Sequence, residues 1–324
     1  MTSTAFHCPE HGIPLTASGD GYACPEGCSF PVVADIPRFV DSSNYARSFG
    51  LQWNRFRTTQ LDSHTGTTIS RDRLTRLAGG DLKKTFAGKR VLEAGCGAGR
   101  FTELLLEAGA SVTAVDLSEA VEANLTNCGA RGDYRVCQAD IRRLPFAPGG
   151  FDVVLCIGVV QHTPDPEETL KALARQVAPG GLLIIDHYTY REGGVKWSSR
   201  TLRKHMLQRP SESSMRFVER LVNALWPMHR FLYRVRRAAW FTPVRKRLLH
   251  LSPVLDYQYA FPELSPELLH QWAVLDTHDV VTDYYQHRRT TDEIRAALEG
   301  NGLEALRVEY AGNGVEAMAR KPES

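Results

Sequence analysis

From Lys89 to Asp186 short apolar runs alternate with stretches in which apolar residues recur every three or four positions. The runs RVLEAG, SVTAVDLS, YRVCQAD, FDVVLCIG and LLIIDH have strand length, and RFTELLLEAGA, EAVEANLTNCG and PEETLKALARQVAPGG between them have helical period. Strand, helix, strand, repeated, predicts parallel βαβ units with right-handed crossovers and a sheet covered on both faces. The alternation stops at Tyr190. Up to about His287 the chain offers aromatic and Arg-rich helical pieces cut by Pro210, Pro227, Pro243 and Pro253. It then resumes with the helix TTDEIRAALEGNG and two strands, LEALRVEYA and GVEAMARK. The middle therefore reads as a helical insertion in one α/β domain, with Pro227 breaking its longest amphipathic piece.

Ahead of the domain the pattern is different. Residues 1–42 are rich in Cys, Pro and Gly and end in SFPVVADIPRFV, two short extended runs between proline breaks. Residues 43–88 turn helical, with Ser70 as a cap before RDRLTRLAGG. The expected layout is a small module at 1–42, helices at 43–88, a core at 89–189 and 288–324, and a substrate-covering helical cap at 190–287.

The 324 residues suffice for one large domain or two ordinary ones, and a net charge of +2 argues against an overall nucleic-acid glove. Neither a signal sequence nor the ~20 uninterrupted apolar residues of a membrane span is visible, so a soluble, cytoplasmic protein is expected. Of the seven cysteines, Cys96, Cys128, Cys137 and Cys156 fall within the α/β elements and read as small buried apolar residues.

The strongest chemistry lies in VLEAGCGAGR. A strand running into Gly95, Gly97 and Gly99 ahead of a helix lets a ligand approach the backbone closely and aims helix N-terminal amides at it. The dinucleotide fingerprint would need a glycine where Arg100 stands, which weakens a pyrophosphate reading. Asp116 ends the second strand, where a carboxylate accepts ribose hydroxyls. Asp140 follows the third, placed either to accept from an exocyclic amine such as adenine's or to cap a helix, with Ile141 as an apolar wall.

Taken together, VLEAGCGAGRF, AVDLS, QADIRRLPF, FDVVLCIGVVQHTPDPEETL and LARQVAPGGLLII resemble the class I S-adenosylmethionine-dependent methyltransferases of the small-molecule type. The resemblance is close from about Lys89 to His187 and resumes at the terminal helix and strands. It implies a Rossmann-like seven-stranded sheet and S-adenosyl-L-methionine as cofactor. Glu93, Ala94, Gly95, Cys96, Gly97 and Gly99 would surround its methionine portion, Asp116 its ribose, Leu117 one adenine face, and Asp140 and Ile141 the adenine edge and other face. Ile157 and Gly158 would sit near the reactive methyl.

Methyl transfer needs an aligned nucleophile and, for a hydroxyl or protonated amine, a proton acceptor. His162, just past the fourth strand, is the candidate base; a merely packed histidine is the alternative. His187 and Tyr188 after the fifth strand, and His278, Asp279, Tyr284, Tyr285, His287 and Arg288 of LDTHDVVTDYYQHRR, are candidates for the substrate side. The segment LQWNRF, followed by Gln60 and Asp62, resembles a lid of many relatives and nominates Trp53, Phe56 and Gln60.

Between Arg191 and Arg247 stand 15 Lys and Arg against 3 acids. That balance suits an anion: RNA, a phosphorylated or carboxylated metabolite, or a membrane surface. Aromatic amphipathicity fits a substrate-covering cap or a homodimer contact better than a membrane anchor.

The chain begins with CPEHG and CPEGC, giving Cys8, His11, Cys24 and Cys28 as C-x2-H, twelve residues, C-x3-C. Two close pairs across a short loop suit a tetrahedral Zn2+ site, with His7 as competitor to His11. Four protein ligands leave no open position, so the metal would be structural. The segment also resembles the short zinc-ribbon leader preceding many methyltransferase domains, with His11 in place of the usual second Cys. Three functions stay open: methylation of an O or N nucleophile of a small molecule, anionic or not, in natural-product or glycan biosynthesis; methylation of an RNA base; and cofactor binding without methyl transfer.

Overall fold

A computed structural model describes residues 5–41, 44–190, 197–312 and 314–323. At the N-terminus β1 (Thr16–Ser18), β2 (Gly21–Ala23), β3 (Ser29–Val33) and β4 (Ile36–Pro37) form an antiparallel meander. The two-residue turn between β3 and β4 puts Ala34 and Asp35 at φ 51° and 62°, the left-handed pair that matches strand twist. Beyond β4 the chain runs beside the main sheet: Phe39 N–H donates to the Gln138 carbonyl, and buried Arg38 reaches the Gln138 side chain and Glu122. Phe6 lies at ring-centroid distances of 5.0 Å from Phe39 and 5.9 Å from Phe146, so an aromatic cluster glues the module to the domain.

The helices α1 (Arg47–Arg55), α2 (Asp62–Thr65), α3 (Ile69–Leu77) and α4 (Leu82–Phe86) follow. Ser70 is not a cap. It lies inside α3, fully buried, and its hydroxyl donates to the Gln60 carbonyl, while the Asp62 carboxylate takes the first amides of α3 at Ser70 and Arg71. A carboxylate there satisfies two orphan donors at the positive end of the helix, which a serine one residue inside cannot do.

The domain proper comprises β5 (Arg90–Ala94), α5 (Thr102–Glu107), β6 (Ser111–Asp116), α6 (Ala120–Cys128), β7 (Tyr134–Gln138), β8 (Phe151–Cys156), α7 (Pro166–Gln176) and β9 (Val177–His187). After the cap come α12 (Thr291–Gly300), β10 (Glu304–Ala311) and β11 (Gly314–Arg320), numbered past the cap helices α8 (Trp197–Met206), α9 (Ser211–Arg234), α10 (Thr242–Leu251) and α11 (Pro266–Thr282). The seven strands order as β10-β11-β9-β8-β5-β6-β7 with β11 alone antiparallel. Both faces are buried against helices, by Leu92, Val154 and Leu183 with α7 and α12 on one side and by Val91, Leu155 and Ile184 with α3 and α5 on the other. The β7 edge is covered by the N-terminal module.

The cap has its own core. Val218, Val222 and Trp226 recur every four residues along α9 and pack on Leu269, Trp272 and Ala273 of α11. Pro227 does not break α9, which continues to Arg234. Its ring sits on the exposed face, so the helix forgoes one backbone hydrogen bond while its packed stripe stays intact. At the base of α9, His229 Nδ1 meets Asp256 Oδ2 at 2.9 Å and Nε2 meets Ser252 Oγ at 2.8 Å. No helix among the described residues is long and apolar enough to cross a membrane, and all seven cysteines are unpaired.

Candidate active site

A cavity of about 260 Å³ opens beyond the carboxyl ends of β5, β6, β7, β8 and β9, where crossovers from β5 and β8 leave in opposite directions. Such a switch point leaves a crevice between diverging connections. Here α1, α11 and residues 255–257 roof it over.

At the glycine loop, Gly95 N–H and Cys96 N–H both donate to the Val115 carbonyl, tying β5 to β6. Gly95 has φ 86° and a Cβ there would meet Val159 Cγ2 at 2.2 Å, so only glycine fits. Gly97, at φ 49°, faces the Trp53 indole. Asp116 Oδ1 accepts from the Ser118 amide and hydroxyl and Oδ2 from Gly97 N–H, which uses three of the about four lone-pair sites and leaves Oδ2 one toward the cavity. Burial pushes its pKa up despite these bonds. Asp140 caps the 3-10 turn at 141–143, accepting from Arg142 N–H at 2.9 Å, and is paired by the Arg142 guanidinium, yet it also lines the cavity beside Leu117 and Ile141.

At the other end His162 stands under α11. Its Nδ1 lies 3.1 Å from the Tyr285 carbonyl and 3.2 Å from Asp283 Oδ2, and its ring meets Tyr188 edge to face at 5.2 Å. Burial pushes His162 down, but the Asp283 contact, the charges of Asp279 and Asp283 and the Tyr285 carbonyl carry it above its ordinary value. Asp276 and Asp279, one turn apart on α11, also face the cavity. Burial raises them to about 6 and about 7, against the pull of Tyr257 and Arg100 on Asp276 and of His162 on Asp279. Two guanidiniums complete this wall. Arg73 pairs with Asp186, whose other oxygen takes Gly158 N–H at 2.5 Å, while Arg73 Nε is buried without a hydrogen-bond partner among the described residues. Arg100 donates to the neutral Ser70 and Gln60 side chains, each at 2.8 Å, and burial lowers it to about 10.

Over residues 92–185 the chain matches the family described as a methyltransferase domain. The chain is 38% identical over 109 residues to the ubiquinone biosynthesis O-methyltransferase of Pseudomonas aeruginosa LESB58, covering 32% of this chain and 47% of that one. It is 41% identical over 109 residues to the Aromatoleum aromaticum protein of that description, covering 32% and 46%. The match thus spans about half the length of these curated relatives. Among solved structures, the magnesium protoporphyrin IX methyltransferase of Synechocystis PCC 6803 aligns at TM-score 0.44 and 19% identity over 86% of this chain and 96% of that one.

Of the residues nominated from the sequence, Gly95, Cys96, Gly97, Asp116, Leu117, Asp140, Ile141, Ile157, Gly158, His162 and Tyr188 line the cavity. Glu93, Ala94 and Gly99 do not. Glu93 is buried and accepts from Thr102 Oγ1 at 2.5 Å, with burial raising its pKa to about 8, so it braces the loop from behind. Ala94 belongs to the sheet core, and Gly99, at φ 99°, lets Cys128 approach. Of the nominated lid residues Trp53 and Gln60 reach the cavity, whereas Phe56 packs in the cap core.

On the substrate side, His187 and His278 are buried away from the cavity, their Nδ1 atoms bonded to the Tyr188 carbonyl and Gln52, and burial lowers both to about 4. Tyr284 is exposed, and His287 and Arg288 line a separate shallow pocket with Glu167 and Arg289. The Lys and Arg of the insertion that are described do not line the cavity; Arg191, Glu192 and Lys196 lie outside the described residues. Sequence reasoning missed Tyr45, Phe49, Arg73, Tyr257 and Asp276, which the cavity gathers from segments with no motif of their own, and read Arg100 of the glycine loop only as a departure from the dinucleotide fingerprint. Only the polar 276/279/283 spacing on α11 signals a polar inward face.

In the N-terminal module the ligand atoms of Cys8, His11, Cys24 and Cys28 all lie within 4.8 Å of one another. His11 Nδ1 is 3.5, 3.4 and 3.6 Å from the three sulfurs. His7 points elsewhere, its Nδ1 3.2 Å from the Ala5 carbonyl.

Proposed function

We propose that this protein is an S-adenosylmethionine-dependent methyltransferase acting on a hydroxyl of a small molecule of the natural-product or glycan kind. One observation carries the reading: a single roofed cavity runs from the glycine loop and Asp116 to His162 and the α11 carboxylates. The residues fit the cofactor. Asp116 retains an acceptor for a ribose hydroxyl, Leu117 and Ile141 supply apolar faces for adenine beside Asp140, whose oxygens Arg142 engages, and Arg73 Nε, unpartnered among the described residues, suits a carboxylate. When bound, the cofactor supplies an electrophilic methyl on a sulfonium.

His162 would accept the acceptor's proton through Nε2, because Nδ1 is committed to Tyr285 and Asp283. Asp276 and Asp279 would receive further hydroxyls and orient the acceptor, which favours a donor-rich molecule over an anion. The roof of α1 and α11 excludes water and favours a small molecule over a base in folded RNA. The O-methyltransferase descriptions of the relatives support an oxygen acceptor.

The test is incubation with methyl-labelled cofactor and fractionated extracts, beside an Asp116→Ala variant. Label entering a small metabolite, lost in the variant, is expected. Label entering RNA, or tight cofactor binding with no transfer, would overturn the reading.

We further propose that Cys8, His11, Cys24 and Cys28 hold a structural Zn2+. Tetrahedral zinc with ordinary Zn–S and Zn–N bonds puts sulfur and nitrogen about 3.6 Å apart, close to the separations around His11 Nδ1.

A further inference from the structure

The end of α9, the turn at 239–241 and α10 form a tip that the cavity does not use. Residues 230–251 contain seven Lys and Arg and no Asp or Glu. Among the described residues none of the seven is ion-paired. The turn and α10 bury no side chain. Yet the tip is not merely polar: Trp240 is 84% exposed and Phe231 54%, with Phe241 bridging them at ring-centroid distances of 5.5 and 6.5 Å. Val244 and Leu251, seven residues apart on α10, are exposed on one face.

We propose that this tip docks the protein on a membrane surface bearing anionic lipid headgroups. An interfacial helix pairs basic side chains with phosphates while an aromatic and aliphatic stripe enters the boundary of the acyl layer, and Trp is the side chain best suited to that boundary. Arg234, Arg237, Lys246 and Arg247 supply the first part; Trp240, Phe231, Val244 and Leu251 the second. A second copy of the chain fits the tip poorly, because a two-fold contact would press unneutralised positive charge against itself. RNA would take the arginines but leave the aliphatic face uncovered.

Sedimentation of the full chain with phosphatidylcholine vesicles, with and without phosphatidylglycerol, tests this. Binding to the phosphatidylglycerol vesicles that weakens with salt is expected. Changing Arg234, Arg237, Lys246 and Arg247 together to Gln should weaken it about 100-fold or more, since each basic residue near such a surface contributes roughly fivefold. Trp240→Ala with Phe231→Ala should weaken it about tenfold. Both variants should keep cofactor binding, which also reports that they fold. Equal sedimentation with both vesicle types, no sedimentation, a dimer that buries the tip, or RNA binding that survives loss of Trp240 would each overturn the proposal.

Discussion

His162 Nδ1 lies 3.2 Å from Asp283 Oδ2, so the end of the cap helix α11 reaches back to the loop after β8. A base must be deprotonated to act, and the contact holds His162 above its usual range. Methyl transfer should therefore fall on the acid side with an apparent pKa above ~6.5. Asp283→Asn removes a raising influence and should move that limb to lower pH. His162→Ala should lower kcat by about 10²–10⁴ and leave cofactor Kd unchanged. A profile that does not move in Asp283→Asn would remove Asp283 from the mechanism.

The three loop glycines are not equivalent. A Cβ on Gly95 would sit 2.2 Å from Val159 at φ 86°, while one on Gly97 would only touch the Trp53 indole at 3.5 Å. Gly95→Ala should cost several kcal/mol, roughly the overpacking and left-handed penalties combined, and Gly97→Ala about 1 kcal/mol. Thermal unfolding separates the two. Gly97→Ala should also weaken cofactor binding under conditions where it stays folded, because it narrows the cavity itself.

The sheet was legible because its strands are continuous apolar runs between helical periods, and the ends of β5, β6, β7 and β8 follow from that register. Asp116, Asp140 and Ile157 could thus be placed by counting. The cap wall could not. Arg73 and Arg100 meet Gln60, Ser70 and Asp186 only through tertiary contacts, and nothing local distinguishes Asp276, which faces the cavity, from His278, which turns to Gln52. At Ser70 and Pro227 the packing of α3 and α9 overrides local propensity.

Chelation should separate the two parts of the chain. Removal of the proposed zinc would free Cys8, His11, Cys24 and Cys28, and a module whose strands span two to five residues has little core of its own. Hydrogen exchange should accelerate over residues 6–39 while cofactor affinity stays within about threefold, a change near 0.65 kcal/mol. Loss of cofactor binding would show instead that Arg38 and the Arg143–Glu10 ion pair transmit the module's order to β7 and Asp140.

Ser252, His229 and Asp256 have the separations of a nucleophile, base and orienting acid, yet their surroundings argue for a structural bolt. Ser252 is 5% exposed, accepts from Val254 N–H at 3.3 Å, and does not line the cavity. What the bolt fixes is residues 252–258, which carry Leu255 and Tyr257 into the cavity wall. Burial pushes Asp256 up, but the bonds from His229 and Gln258 bring it below its ordinary value. That contribution to stability is complete above ~3.9, the unfolded value, and fades as pH falls toward the depressed folded value. Ser252→Ala should cost about 1–2 kcal/mol of stability and raise the acceptor KM more than it lowers kcat. A fluorophosphonate probe should leave Ser252 unlabelled; labelling there, abolished by His229→Ala, would make it a second active site.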